Sequence, residues 1–300
     1  MPELPEVETI RAQLQPLLQG SLIVSAWSFG TPKFEQAEHA AGYRVIDLRR
    51  RGKYLLVGLA DATVSPSTVA STDEVTRDLD RELVIHLGMT GKLSIDSRPG
   101  GSSPSKISAA FASRTRPPHR RAEWLLDDGR VLEFTDIRRF GRIAIVEPGG
   151  YFELPTLHAL GPEPFSDEFT PELLRNAIRS SNQGAKALLM SQRVVAGLGN
   201  IYVDEALWLA GVHPKATNIT RQRAVELRDA IREVLESGIR NGGTTLRDYR
   251  DASGATGSNQ HQLNCYGQAG LPCVRCGTQM KKSVIGGRST THCPLCQRRR

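Results

Sequence analysis

No stretch of the 300-residue chain approaches the ~18 consecutive apolar residues of a membrane-spanning helix. A helical membrane protein is therefore not expected. The first residues also lack the basic, then apolar, then small-residue order of a secretion signal, because Glu3, Glu6 and Glu8 stand there instead. A cytoplasmic location is the expectation. No internal repeat is present. Cysteine is scarce and odd in number: there are five, four of them in the last thirty residues. That excludes a disulfide framework and points to a metal. What the chain does have is basic charge, with 39 Lys and Arg against 32 Asp and Glu, a formal net charge of +7. Arginines crowd at Arg49-Arg50-Arg51, Arg120-Arg121, Arg138-Arg139 and Arg298-Arg299-Arg300. Such clusters favour a polyanionic partner. The length predicts roughly two domains, or one with an appendage.

The chain opens Met1-Pro2-Glu3-Leu4-Pro5-Glu6. Removal of Met1 leaves a secondary amine beside a carboxylate. An α-amino group has a pKa of about 7.7–8.0, against about 10.4 for lysine, so a sizeable share is unprotonated near neutral pH. Pro2 is then a ready nucleophile that can form an iminium with a carbon electrophile. Alone, the same residues also read as a translation start followed by a proline-capped helix.

Val7, Ile10, Leu14 and Leu17 keep a helical spacing and predict a helix over 3–18, stopped by Gly20. Pro5 is tolerated in its first turn, and Pro16 should kink or end its last. Strand-like runs follow at 22–27, 43–49, 53–59, 82–87, 122–126, 130–135 and 142–147. Asp127-Asp128-Gly129 reads as a hairpin turn between two of them. This spacing predicts an antiparallel sandwich or barrel. Segments 60–80 and 97–118 read as inserted loops. Past Pro148-Gly149-Gly150 the pattern turns helical, at 170–180, 186–190, 201–209 and 221–240. Residues 251–262, rich in Gly, Ser, Asn and Gln, read as a flexible loop. The expected division is 1–147, 148–262 and 263–300.

Cys273-Val274-Arg275-Cys276 and Cys293-Pro294-Leu295-Cys296 are separated by sixteen residues. Two such turns set four thiolates at the corners of a tetrahedron, the signature of one structural Zn²⁺. With four sulfur ligands the metal keeps no open position for water, so it folds the unit and does no chemistry. Between the turns, 284–291 reads as a β-hairpin carrying Arg288. Cys265 is left over and reads as a packing residue.

Taken in order, the motifs resemble the formamidopyrimidine-DNA glycosylase family. They are Pro2-Glu3-Leu4-Pro5-Glu6-Val7-Glu8-Thr9, Arg51-Gly52-Lys53-Tyr54, His86-Leu87-Gly88-Met89-Thr90-Gly91, Thr135-Asp136-Ile137-Arg138-Arg139-Phe140-Gly141, Gly197-Leu198-Gly199-Asn200-Ile201-Tyr202, Gly243-Thr244-Thr245-Leu246 and the four cysteines. The resemblance implies an α+β multidomain fold: an N-terminal antiparallel β-sandwich with flanking helices, a helical domain with a helix–two-turn–helix element, and a C-terminal zinc finger. It implies a bifunctional DNA glycosylase and abasic-site lyase of base-excision repair. The enzyme would remove oxidised purines from double-stranded DNA, namely 8-oxoguanine opposite cytosine and formamidopyrimidines, and then cut the strand by β,δ-elimination. A monomer is expected.

By the same resemblance Pro2 is the nucleophile, Glu3 a general acid or base, and Glu6 a support for the amine or for water. Lys53 would contact phosphate and assist elimination, and Arg288 would grip phosphate and donate a proton. Met89, Arg138 and Phe140 would fill the gap left by an everted base, as inserted wedges do. His119, Arg139 and Asn200 would contact the DNA backbone. The chain departs from the family at Ile137, where proline is usual and whose loop is expected to be more flexible, and at Ser181, where a lysine is usual. Alternatives are an endonuclease VIII-like enzyme for oxidised pyrimidines, a non-catalytic binder of damaged DNA, and a zinc-ribbon RNA-binding protein.

Overall fold

The computed structural model describes residues 1–62, 79–96 and 109–299. Most of both expected insertions lies outside the described residues. The chain divides into two compact units. The first comprises Met1–Pro2, Glu6–Pro155 and Thr245–Gly257; the second comprises Glu3–Pro5, Thr156–Thr244 and Ser258–Arg300.

Helix α1 (Leu4–Leu18) presents Val7, Ile10, Leu14 and Leu18 to the first core. Leu17, expected on that face, is exposed, because Leu18 lies closer to the stripe set by the other three. Pro16 falls in the last turn, and the helix ends two residues later. Gly20 then takes a left-handed φ of 85°, which glycine adopts without steric cost.

Two four-stranded antiparallel sheets follow. One has the order β1 (Ile23–Ser28), β6 (Arg120–Leu126), β7 (Val131–Asp136), β5 (Gly91–Asp96). The other has the order β2 (Tyr43–Arg51), β3 (Tyr54–Asp61), β4 (Arg81–His86), β8 (Arg142–Val146). Alternate residues of both sheets meet in one core. Ala122, Trp124, Leu126, Leu132 and Phe134 come from the first, and Leu55, Val57, Leu59, Leu83 and Ile85 from the second. Each large side chain buried here contributes roughly 1.5–3 kcal/mol of transfer free energy. Trp124 also donates its indole N–H to Ala37 O at 3.0 Å, so its polar atom is satisfied. Asp127-Asp128-Gly129 is the expected hairpin turn, with Gly129 at φ 87°.

β6 is buried on both faces, which an alternating strand of a free sheet would not be. The described end of the second insertion explains this. Phe111 packs on Leu125, and Arg116 lies over Trp27 at 4.2 Å while pairing with Glu123 at 3.1 Å. The residues just before Pro117 are thus a lid on the outer face, not a loop in solvent.

In the second unit, α2 (Pro171–Ser180) and α5 (Arg221–Arg240) each begin at a threonine cap. Thr170 and Thr220 accept from Leu173 N and Arg223 N. Between them lie α3 (Ala185–Met190) and α4 (Asn200–Leu209). Nearly every residue of α4 is buried, and it packs against α5 through Tyr202, Leu207, Leu227 and Ile231. Gly238 on α5 has no Cβ because Tyr202 and Pro5 would lie 2.6 and 2.8 Å from it. The antiparallel hairpin β9 (Lys281–Ile285) and β10 (Arg288–His292) turns at Gly286 and Gly287, with φ of 55° and 72°.

The flexible loop expected at 251–262 is instead knit together. The Asp251 carboxylate accepts from Gln13 Nε2, Ser253 N and Ala255 N at 2.8–3.0 Å, and Asn259–Gln262 forms a 3₁₀ turn. Among the described residues no helix is long and apolar enough to cross a membrane.

Candidate active site and metal centre

Within the second unit, Glu3 is buried and its carboxylate sits on the start of α4. Oε2 accepts from Gly199 N at 2.6 Å and Tyr202 N at 3.4 Å, and Oε1 accepts from Ile201 N at 3.0 Å. These amides have no partner inside the helix, and the helix dipole adds a positive field at that end. The two glycines before Asn200 make the seat. A Cβ on Gly199 would lie 2.3 Å from the Glu3 carboxyl carbon, and one on Gly197 would lie 2.6 Å from Leu4 Cβ. Leu4 N donates to Gly197 O at 3.0 Å and completes the join. The acid is therefore immobilised by backbone from 196 residues away.

Asn200 and Arg288 belong to the same neighbourhood of this unit. Asn200 Nδ2 donates to Ser289 O at 3.1 Å, which ties the head of α4 to the strand that begins with Arg288. Arg288 itself is exposed. Beneath them lies a group the motif reading passed over. Lys186 and Asp204 are fully buried and paired at 2.7 Å. Lys186 Nζ also donates to Ser289 O, and Asp204 Oδ2 accepts from Thr291 N. Burial pushes the Asp204 carboxyl up and the Lys186 ammonium down, and each charge tempers the shift of the other. Glu205 accepts the N–H groups of Asn264, Cys265 and Tyr266. A charge on each of two helices reads in sequence as a solvated face. Only the surrounding burial marks it as internal.

In the first unit, Pro2 is buried while Met1 is exposed. Glu6 is buried too, and its carbonyl accepts from the Tyr249 hydroxyl at 3.4 Å. Burial, reinforced by the Glu6 charge, raises the Tyr249 hydroxyl pKa. Lys53 is buried next to Gly52, whose φ is 57°. Tyr54 stacks on His86 at 4.7 Å. Burial, helped by the nearby Lys53 charge, lowers His86 to about 4, so it is neutral at physiological pH. Its Nδ1 accepts from Gly88 N at 3.2 Å.

That contact leads into a pair of turns that gather Met89, Arg138 and Phe140. A Cβ on Gly88 would stand 2.4 Å from the backbone of Phe140 and Gly141, so the two turns touch. The buried Asp136 carboxylate organises both. It accepts from Thr90 Oγ1 at 2.6 Å and from Gly141 N at 2.7 Å, while Thr90 Oγ1 accepts from Arg138 N. The Arg138 guanidinium lies 4.9 Å from the Phe140 ring centroid, and both side chains are exposed. Met89 is half-buried beside them. Arg139 is held at φ 57° and its carbonyl accepts from Lys33 Nζ at 2.9 Å. His119, exposed and at φ 72°, accepts Asp136 N through its carbonyl. The turn expected to loosen at Ile137 is pinned on both sides by Asp136. Ser181 follows α2, half-buried, and its hydroxyl accepts from Gln183 N at 3.0 Å.

Four of the five cysteines in the second unit converge. The Sγ atoms of Cys273, Cys276, Cys293 and Cys296 all lie within 4.8 Å of one another, with Cys276–Cys293 at 3.5 Å and Cys273–Cys296 at 4.0 Å. A tetrahedron with metal–sulfur bonds of about 2.3 Å has edges of about 3.8 Å. The set therefore fits one structural zinc. Cys265 stands apart, buried, with its thiol donating to Thr291 O at 3.1 Å.

Family comparisons cover most of the chain. The formamidopyrimidine-DNA glycosylase N-terminal domain matches residues 1–143, the H2TH domain of the same enzymes matches 160–250, and a zinc finger found in FPG and IleRS matches 270–299. The formamidopyrimidine-DNA glycosylase of Deinococcus radiodurans is 42 % identical over 302 residues, covering 99 % of this chain and 97 % of that one. The crystal structure of the MutM (Fpg) protein of Thermus thermophilus superimposes with a TM-score of 0.82 at 38 % identity, covering all of both chains. A complex of wild-type Lactococcus lactis Fpg with DNA containing an N7-benzyl-Fapy-dG superimposes at 0.80 and 33 % identity, covering 99 % of this chain and 100 % of that one. The agreement runs from the terminal acid to the last cysteine pair. On it the chain belongs to the formamidopyrimidine-DNA glycosylase family, DNA glycosylases of base-excision repair.

Proposed function

We propose that the chain removes oxidised purines from duplex DNA and then cuts the strand at the resulting abasic site, through a Schiff base on the Pro2 nitrogen. The reading is carried by one observation: a carboxylate one residue from the terminal amine is held rigidly by three backbone N–H groups. With Met1 removed, the Pro2 nitrogen attacks C1′ and the glycosidic bond breaks. The base leaves with the bonding pair and takes up a proton. Opening of the sugar ring then yields a cationic iminium at C1′. That cation acidifies the C2′ protons, so the 3′-phosphate departs by β-elimination and the 5′-phosphate by δ-elimination. Glu3 moves protons on the sugar, and Glu6 supports the amine or a water. Lys53 assists elimination, and Arg288 holds phosphate and donates a proton late in the sequence.

Under the same proposal the everted base leaves a gap that Met89, Arg138 and Phe140 fill. His119, Arg139 and Asn200 contact the backbone, where such contacts set register without reading sequence. Relatives of this family have been crystallised with DNA containing a formamidopyrimidine or an abasic site, which supports damaged duplex DNA as the partner. The zinc is structural. The working parts are 1–147, 148–262 and 263–300, in a monomer that acts in the cytoplasm on the nucleoid.

The test is borohydride trapping across duplexes with defined lesions. A covalent adduct is expected with 8-oxoguanine opposite cytosine, with formamidopyrimidines and with abasic sites. Adducts on thymine glycol but not on 8-oxoguanine would move the chain to the oxidised-pyrimidine branch. Binding without any adduct would leave only a damage-binding role.

Arg138→Ala is expected to slow excision of a paired lesion while sparing cleavage at a preformed abasic site. Unstacking a base costs a few kcal/mol, and partial loss of its compensation means about 10- to 100-fold in rate. Single-turnover kinetics on the two substrates measure this. Equal losses on both would remove the gap-filling role.

A further inference from the structure

The zinc ligands are held to the rest of the second unit by side chains outside the ligand set. Trp208, near the end of α4, is 5 % exposed and donates its indole N–H to Cys273 Sγ at 3.4 Å. Arg275, inside the first Cys-x-x-Cys turn, stacks over that indole with its guanidinium carbon 4.0 Å from the ring centroid. Its Nη1 also donates to the carbonyls of Trp208 and Leu209, both at 3.0 Å. Those are terminal helix carbonyls that lack partners within α4. Gln297, just after the second turn and fully buried, accepts from Cys293 N and donates to Val212 O at 2.9 Å. The first knuckle thus reaches the end of α4, and the second is tied to Val212, three residues past it.

A metal centre of four thiolates around a dication carries a net charge of −2, and hydrogen bonds to its sulfurs tune it. The surroundings of Cys273 supply that in series: a cation over the indole face, and the indole N–H on the sulfur. A cation over an aromatic face is attracted to its π-electrons, and the same field withdraws electrons from the ring and makes its N–H a better donor. We propose that Trp208, backed by Arg275, is the residue that stabilises the zinc centre from outside its ligand set. Through it the metal is coupled to α4, the helix whose other end seats Glu3. The inference concerns metal retention and stands apart from the reaction proposed above.

The full-length zinc-loaded protein tests it. Trp208→Phe keeps an apolar ring under Arg275 and removes the N–H donor together with the second ring of the indole. Its zinc affinity, measured by competition with a chromogenic chelator, is expected to fall about 10- to 100-fold. The sulfur-to-metal charge-transfer bands of the cobalt-substituted protein are expected to shift with it. Arg275→Met should weaken zinc retention by a smaller factor, about two- to fivefold. Affinity of the Phe variant within about twofold of wild type, with unshifted cobalt bands, would overturn the proposal. Should that variant fail to fold, 3-benzothienylalanine at position 208 replaces the N–H by sulfur in a bicycle of the same shape. Undiminished zinc affinity there would overturn the proposal equally, and a loss comparable to that expected for Phe would uphold it.

Discussion

A form of the protein extended at its N-terminus is expected to bind lesion-containing duplex DNA and to leave both strands intact. The reason lies in one nitrogen. While Met1 or a tag is attached, Pro2 N is a tertiary amide whose lone pair is delocalised into the carbonyl, and it cannot attack C1′. Freed, it is a secondary amine whose lone pair is available for attack on a carbon electrophile. The fold tolerates the blocked form, because Met1 is 44 % exposed and an extension can leave toward solvent without disturbing the buried Pro2. The DNA contacts proposed for Arg138, Arg139, His119 and Arg288 use other residues, so binding should persist. Intact mass defines the terminus of each sample, and borohydride trapping on an abasic duplex reads the chemistry. Cleaving the extension so that Pro2 becomes the first residue should restore trapping. Equal trapping before and after that cleavage would show that some other amine, with lysine the obvious class, is the nucleophile.

Glu3→Gln is expected to lower base excision by about 10²–10⁴-fold, the usual contribution of a positioned proton-transfer group. The loss should far exceed the loss in stability. Glu3 also acts as a helix cap, since its carboxylate serves Gly199 N, Ile201 N and Tyr202 N. Glutamine keeps one acceptor oxygen and turns an NH₂ toward the remaining donors. That should cost roughly 1–2 kcal/mol of stability, within the range of a lost cap and an unsatisfied buried donor. Thermal melting and single-turnover excision separate the two effects. Gly199→Ala provides a second arm, because its Cβ would intrude 2.3 Å from the Glu3 carboxyl carbon and displace an unaltered acid. It should also reduce excision. If Glu3→Gln lowers the melting temperature but excision falls less than about tenfold, Glu3 is a cap and not a proton-transfer group.

Most of the first unit is legible from spacing because its strands are short apolar runs bounded by turn residues. Several short elements escape it, two of them instructive. β5 (Gly91–Asp96) offers only Leu93 and Ile95 to the core, too short an alternation to stand out beside a glycine-flanked motif and an insertion. The 3₁₀ helix Glu35–Ala40 buries alanines, Ala37 and Ala40, whose small side chains carry little hydrophobic signal. The lid formed by Phe111 and Arg116 looked like loop composition, because arginine, proline and threonine around it are the residues of exposed turns. Only contact with Trp27 and Glu123 shows that its charges are paired and its apolar faces covered. Residues 251–262 follow the same logic. Glycine and serine mark where a chain can turn, and the Asp251 carboxylate decides whether the turn is held.

What is legible in the sequence is the candidate reactive groups and the short-range elements that carry them. Pro2 beside Glu3 and the two Cys-x-x-Cys turns depend on neighbours a few residues apart, whose geometry follows from backbone stereochemistry. The tertiary structure alone decided which distant groups meet. It set the Glu3 carboxylate on the amides of α4, joined the turns of Met89 and Phe140 through Asp136, and buried Lys186 against Asp204. Those meetings carry no local pattern. They arise where the summed burial of two cores brings remote backbone together, and the polar groups caught there must find partners or cost more than the packing supplies.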